Sequence, residues 1–245
     1  MSIARPIGMI LRPLIDYALP PRCPACRDIV EEDDTFCAGC WQAMVFLGEP
    51  CCAACGLPFD HDMGPGTLCG PCLAAPPPFD SARAVLAYGE IARTIALRLK
   101  YGRRVGLARL IARHMARHVK PGEVPPVIVP VPLHRWRLWW RGFNQSALIA
   151  DQLGRNLGLA VDKQALLRVR RTRPLRGMHP GERMRAVRGA FAMAPGHGLR
   201  GRAVLLIDDV HTSGATAAAC ARTLKRGGAE RVDLLCWARA LPRDD

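Results

Sequence analysis

Val204–Thr216 reads V-L-L-I-D-D-V-H-T-S-G-A-T. Ala203–Ile207 has the apolar run of a buried strand. Two acids follow it, and a Thr/Ser/Gly loop then opens onto Ala215–Arg226, whose spacing predicts a helix stopped by Gly227 and Gly228. A strand that turns at once into a helix makes an anion site, because the first backbone N–H groups of the helix are unpaired and partly positive. Gly214 lets the backbone approach an anion closely, and Thr212, Ser213 and Thr216 add hydroxyl donors. A monophosphate fits such a loop. Asp208 and Asp209, just before it, are placed to accept hydrogen bonds from the vicinal hydroxyls of a ribose or to engage a metal, directly or through water. In a plainer alternative the acids cap nearby backbone and a Thr serves only as an N-cap. The unbroken order of strand, two acids and T-S-G-A-T favours the ligand site.

Working outward, Ala84–Tyr88, Val127–Val131 and Val232–Ala238 are predicted strands, and Gly189–Met193 a short one. Glu90–Lys100, Leu107–Val119 and Asn144–Leu157 have helical periodicity. Strands alternating with helices predict an α/β fold with a parallel sheet. The loop then lies at the carboxyl end of a parallel strand, where open α/β sheets bind ligands. Ala74–Pro78 (A-A-P-P-P) is stiff and marks a boundary. The expected domains are an amphipathic helix over residues 1–21, a cysteine-rich module over 22–75 and the α/β domain over 80–245.

Nine of the eleven cysteines lie between Cys23 and Cys72, and eight form C-x-x-C pairs: Cys23/Cys26, Cys37/Cys40, Cys52/Cys55 and Cys69/Cys72. Each pair presents two thiolates from one tight knuckle, and two knuckles complete a tetrahedral Cys₄ zinc site. The expectation is two Zn²⁺ ions, with sequential pairing favoured over crossed. Cys51 is a bystander that could exchange with Cys52. Gly39, Gly56 and Gly70 lie in or beside knuckles, where sharp turns are expected. Four thiolates leave no open position for water, so both sites are structural, and so small a segment needs its metal to fold.

Charge divides the chain. Residues 1–80 carry four Arg, no Lys and ten acids, a net −6, which leaves +20 of the overall +14 on residues 81–245. A strongly basic domain expects an anionic partner. The acidic cysteine module argues against direct DNA binding by its own surface. Reduced metal-ligand cysteines suit a cytoplasmic location. Arg12 and Asp16 interrupt the N-terminal apolar stretch, so no signal peptide is expected. No apolar run approaches the roughly 18 residues of a membrane span.

The strand–acid–loop segment resembles the phosphoribosyl pyrophosphate (PRPP) motif of type I phosphoribosyltransferases. With the cysteine module before it, nearly the whole chain resembles the ComF family, double-zinc-ribbon proteins linked to competence for DNA uptake. Further matching stretches are L-K-Y-G at Leu99–Gly102, V-P-V-P-L-H at Val129–His134, R-G-F-N-Q at Arg141–Gln145 and G-E-R-M-R-A-V-R-G-A-F at Gly181–Phe191. The resemblance implies a type I phosphoribosyltransferase-like sheet with helices on both faces. It implies that Asp208 and Asp209 hold the ribose hydroxyls and that Val210, His211, Thr212, Ser213, Gly214, Ala215 and Thr216 bind the 5-phosphate. Pro132, Leu133, His134 and Arg135 would form the loop at the pyrophosphate, bridged by Mg²⁺, with Lys100 nearby. Many members carry a Thr-x-x-Gln-like segment after the basic hairpin. Here Arg171–Met178 reads R-T-R-P-L-R-G-M, so no residue is assigned to an acceptor base.

Eight arginines fall between Arg168 and Arg188, and Arg135, Arg137 and Arg141 interleave with Trp136, Trp139 and Trp140. Three readings stand. Arg135, Arg137, Arg141, Trp139, Arg171 and Arg173 grip single-stranded DNA; an Arg-rich loop closes over PRPP; or the tryptophans pack inside and the arginines are solvated. Function therefore divides between a PRPP–Mg²⁺ enzyme, or its descendant, serving DNA uptake or nucleotide salvage, and a single-stranded-DNA-binding protein. A third reading is an adaptor for a competence motor or recombination protein, docked through residues 22–75.

Overall fold

The structure is a computed structural model. It describes residues 20–102, 104–119, 124–172 and 179–241; the helix expected over 1–21 lies almost wholly outside them. The chain forms two compact units, Met1–Met44 and Val45–Asp245. The first holds the first ribbon. The second holds the second ribbon and the α/β sheet.

Both ribbons use one local design. In the first, Arg27 N donates to Cys23 O at 3.0 Å; in the second, Gly56 N donates to Cys52 O at 2.8 Å. The residue closing each turn is left-handed, Arg27 at φ 77° and Gly56 at φ 69°. Short helices, α1 (Ala38–Gln42) and α2 (Gly70–Ala74), carry the second cysteine pair of each ribbon. This corrects two glycine expectations. Gly39 and Gly70 are helical, with open space where a Cβ would go. Only Gly56 has the turn that glycine suits, and a Cβ there would stand 2.3 Å from Ala82 O.

The Val45–Asp245 unit continues with β1 (Ser81–Ala87), α3 (Glu90–Tyr101), α4 (Leu107–Ala116), β2 (Val127–Pro130), α5 (Arg135–Arg141) and α6 (Gln145–Leu157). Then come β3 (Leu166–Arg168), α7 (Pro180–Val187), β4 (Phe191–Met193), β5 (Ala203–His211), α8 (Ala215–Arg226) and β6 (Arg231–Arg239). The four-stranded sheet has the order β1-β6-β5-β2 and is parallel throughout. At one edge Phe46 bridges Leu86 antiparallel; at the other Ile128 bridges Val161 in parallel. β3 and β4 form a separate antiparallel pair that the sequence pattern only half anticipated.

Alternation along the strands builds two apolar faces. Val129, Val204, Leu206, Val232, Leu234 and Cys236 pack with the small residues of α8 and with Leu166 and Phe191. On the other face Trp237, fully buried, donates Nε1–H to Ala92 O of α3 at 3.2 Å and lies 5.9 Å from the His114 ring of α4. Helices therefore cover both faces. Several boundaries differ from expectation. β5 runs on to His211, so the two acids lie inside the strand, because pairing with β6 continues to His211↔Arg239. The helix expected over Leu107–Val119 ends at Ala116. Among the described residues no helix is long and apolar enough to cross a membrane.

The Gly56 contact makes a stability prediction. Gly56→Ala combines a left-handed φ with a clash against backbone, and should destabilise by about 2 kcal/mol, roughly 4–8 °C in the thermal midpoint. Thermal unfolding of the zinc-loaded protein checks it; an unchanged midpoint would mean the knuckle can move off β1.

Candidate functional site

Strand connections decide where a ligand crevice opens. The chain leaves β5 through α8 toward β6, on one face. It leaves β2 through α6 toward the opposite edge, on the other. The carboxyl ends of adjacent β2 and β5 therefore face a topological switch point, where open α/β sheets bind ligands. Both ligand loops expected from sequence start there, one after Pro130 and one after His211.

The acids are held from three directions. Lys100, in the last turn of α3, pairs with Asp209 Oδ2. Gln145 and Ser146 open α6; Gln145 Nε2 donates to Asp209 Oδ1 at 3.5 Å and Ser146 Oγ to Asp208 Oδ1 at 3.2 Å. Asp209 N adds a bond to Asp208 Oδ1 at 2.9 Å. Burial, and then the charge of Asp209, push the Asp208 carboxyl up to about 7, with Lys100 opposing them. Burial works against the charge on Lys100, but Asp209 outweighs it and the ammonium pKa is raised.

The R-G-F-N-Q stretch explains how α6 reaches the acids. Arg141 ends α5, and Gly142 caps it in the left-handed region at φ 82°. Asn144 caps α6 by accepting from Ser146 N at 3.0 Å, while its Nδ2 donates to Val131 O beyond β2 at 3.0 Å. Arg141 Nη1 donates to Gln145 Oε1 at 2.6 Å, and its guanidinium lies 5.1 Å over the Tyr101 ring. In sequence the stretch shows only a family match. It does not show that Gln145 and Ser146 meet the acids, because only the fold brings them to residues more than sixty positions away.

In the loop expected to meet the 5-phosphate, Thr212 and Ser213 are exposed and Gly214 caps α8 in the left-handed region, φ 73°. Val210 and His211, expected in the loop, belong to β5. His211 is only 8 % exposed and its ring lies under the turn, since a Cβ on Gly214 would stand 3.2 Å from Cε1. Burial, then Arg239, push its pKa down to about 4, so the ring is neutral. On the β2 side, Pro132–His134 form the loop proper and Arg135 starts α5, where His134 accepts from Trp136 N at 3.3 Å.

α5 buries none of its residues. Trp139 is 76 % exposed, Trp140 66 % and Trp136 51 %, so these tryptophans are not core. Trp136 stacks on Trp139 at 5.4 Å, and the exposed Arg171 lies 5.4 Å over Trp136. Arg135 is exposed, but Arg137 is half-buried and bonds Thr172 O at 3.4 Å. Arg141 turns toward Gln145. Arg173 lies outside the described residues.

The cysteines gather as Cys23/Cys26/Cys37/Cys40 and Cys52/Cys55/Cys69/Cys72, each set of sulfurs lying within 4.8 Å of one another. This is the sequential pairing, and Cys51 is in neither set. Burial opposes the Cys52 thiolate, yet amide donors from Cys55 and Cys69 outweigh it and hold the thiol down at about 6. Four converging sulfurs fit zinc in each set and leave it no open position, which makes both sites structural.

Fold and sites define a zinc-ribbon protein built on a parallel α/β sheet. Residues 14–73 match the double zinc ribbon domain. DNA utilization protein YhgH of Salmonella typhimurium is 38 % identical over 197 residues, covering 78 % of this chain and 84 % of the relative. Its Escherichia coli K12 counterpart is 35 % identical over the same shares. Competence protein F of Haemophilus influenzae is 29 % identical over 89 % of this chain and 97 % of its own. The chain belongs to the ComF family.

The raised Asp208 carboxyl carries a pH prediction. In the folded chain it keeps its proton where the unfolded chain has already released it. Stability should therefore fall as pH rises from about 4, the ordinary carboxylate value, to about 7. Urea unfolding at pH 5 and pH 7.5 should show that loss in the wild type and a shallower one in Asp208→Asn. Equal slopes would put the titrating group elsewhere.

Proposed function

We propose that this protein binds PRPP with Mg²⁺ in the crevice between the carboxyl ends of β2 and β5. One observation carries the reading: two adjacent acids at the end of β5 lead through an exposed Thr-Ser turn into a glycine-capped helix, at the switch point of the sheet. Asp208 and Asp209 take the ribose hydroxyls, and Thr212–Thr216 offer hydroxyls and helix N-terminal amides to the 5-phosphate. The Pro132–Arg135 loop meets the pyrophosphate, whose Mg²⁺ supplies charge neutralisation. Lys100 pairs with Asp209 beside this crevice.

The reaction such a site suits is pentosyl transfer. A nitrogen of the acceptor bonds to the anomeric carbon, and the C–O bond to pyrophosphate breaks with its electrons leaving on pyrophosphate. The cationic sugar demands positioning and anion stabilisation, not a side-chain nucleophile. The relatives are named for DNA utilisation and competence, and we place this chain in DNA uptake or nucleotide salvage in the cytoplasm. A competence motor or a recombination protein is the proposed protein partner.

The exposed Trp136, Trp139 and Trp140 favour a second activity, binding of single-stranded DNA with bases stacked on α5. Trp139→Ala/Trp140→Ala should weaken oligo-dT binding about tenfold or more in fluorescence anisotropy, and wild-type affinity should fall with salt. Unchanged affinity in the variant removes α5 from the DNA surface.

Calorimetric titration of the zinc-loaded protein with Mg²⁺–PRPP tests the main reading. Micromolar binding by the wild type and its loss in Asp208→Asn/Asp209→Asn is the expected result. Absence of binding by a folded wild type overturns it.

A further inference from the structure

The second ribbon is joined to the sheet by more than its edge. Its knuckle lies on β1, where Ala82 N donates to Ala54 O at 2.7 Å and Arg83 Nη1 to Ala53 O at 3.1 Å. One side chain from the far end of the sequence reaches a metal ligand itself. Arg239, the last residue of β6, donates through Nη1 to the Cys55 carbonyl and through Nη2 to the Cys55 sulfur at 3.5 Å.

The backbone beside the same residue supports the phosphate loop. Arg239 is the register partner of His211, and the next amide, Ala240 N, donates to His211 O at 2.8 Å. His211 in turn lies beneath Gly214 and meets Phe79 edge-on, with ring centroids 6.1 Å apart. Arg239 thus touches a zinc ligand with its side chain, while the amide of its neighbour Ala240 holds the end of β5 and its own carbonyl accepts from Tyr88 N at 2.7 Å.

Chemistry gives that contact a direction. Zn²⁺ with four thiolates carries a net negative charge, and a guanidinium bonded to one sulfur and to its carbonyl helps hold that ligand in place on the metal. A Cys55 fixed by metal in turn fixes Arg239. Two donors at once, to a carbonyl and a sulfur, suit a planar guanidinium and not a single ammonium.

We propose that Arg239 is a positioning residue that couples the second zinc site to the phosphate loop, so that metal at Cys52, Cys55, Cys69 and Cys72 sets the order of Thr212–Gly214. The consequence for ligand binding rests on the PRPP reading; the coupling does not.

The experiment uses the full-length zinc-loaded protein with Arg239→Met, Arg239→Lys and the control Arg231→Met, which alters an arginine elsewhere on β6 that pairs with Asp233. Three readouts are taken: zinc release to a chromophoric chelator, backbone hydrogen exchange of residues 211–216 without ligand, and Mg²⁺–PRPP titration. In Arg239→Met one of the two zinc ions should leave about tenfold faster. Exchange at 212–216 should quicken several-fold, and PRPP affinity should fall about tenfold, with cooperative unfolding retained. Arg239→Lys should keep most of the defect, and Arg231→Met should show none. Unaltered zinc release overturns the proposal, as does faster release with unchanged exchange at 211–216. If the wild type binds no PRPP while release and exchange still move together, the coupling stands and only the functional reading falls.

Discussion

Asp208 and Asp209 are neighbours on one strand in the middle of the sheet, and two carboxylates so placed cannot both stay charged without a cation and donors to meet them. Lys100 and the first turn of α6 supply these. Much of the architecture follows from that need. α3 has to end where its lysine reaches the acids, and α6 has to begin with Gln145 and Ser146 facing them. Asn144 makes the second condition hold by capping α6 while tethering its start to the end of β2. The acids are thus kept at the crevice, with burial and the neighbouring Asp209 raising the Asp208 carboxyl.

α5 poses the opposite problem. Three tryptophans on a seven-residue helix with no buried residue gain little from burial. Local restraints hold the helix instead: the His134 cap, the left-handed Gly142, and Arg141 bound to Gln145 and stacked on Tyr101. The residue that ends the aromatic helix therefore also orders the residue that meets Asp209. One short stretch of chain thus carries the exposed aromatic surface and supplies donors to the acidic pair.

The two ribbons share a knuckle but not a surrounding. Arg27 tolerates the left-handed turn in the first, whereas the equivalent position in the second is pressed onto Ala82 and takes glycine. Arg83 and Arg239 then hold the second knuckle from the strands. A closed Cys₄ site does no chemistry of its own, so its contribution is shape, transmitted through the contacts it fixes.

Much of this was readable in one dimension because its physics is local. Paired C-x-x-C spacings bring thiolates to one ion whatever the rest of the chain does; they favoured sequential over crossed pairing, and the structure gathers the sequential sets. Ala203–Ile207, the acids and T-S-G-A-T spell strand, acceptors and helix start within one short run, and α8 came out with its expected bounds. Alternating strands and helices gave the parallel sheet. What the tertiary structure decided is everything that depends on separation: that Gln145 and Ser146 face the acids, that the tryptophans of α5 point to solvent, that His211 lies beneath the loop and not in it, and that Arg239 reaches Cys55 across 184 positions of chain. Spacing encodes which residues share a turn or a strand face, but no periodic pattern encodes which helix start lands on which strand end. That is set by the order of strands in the sheet, and the order exists only once the two apolar faces have been buried.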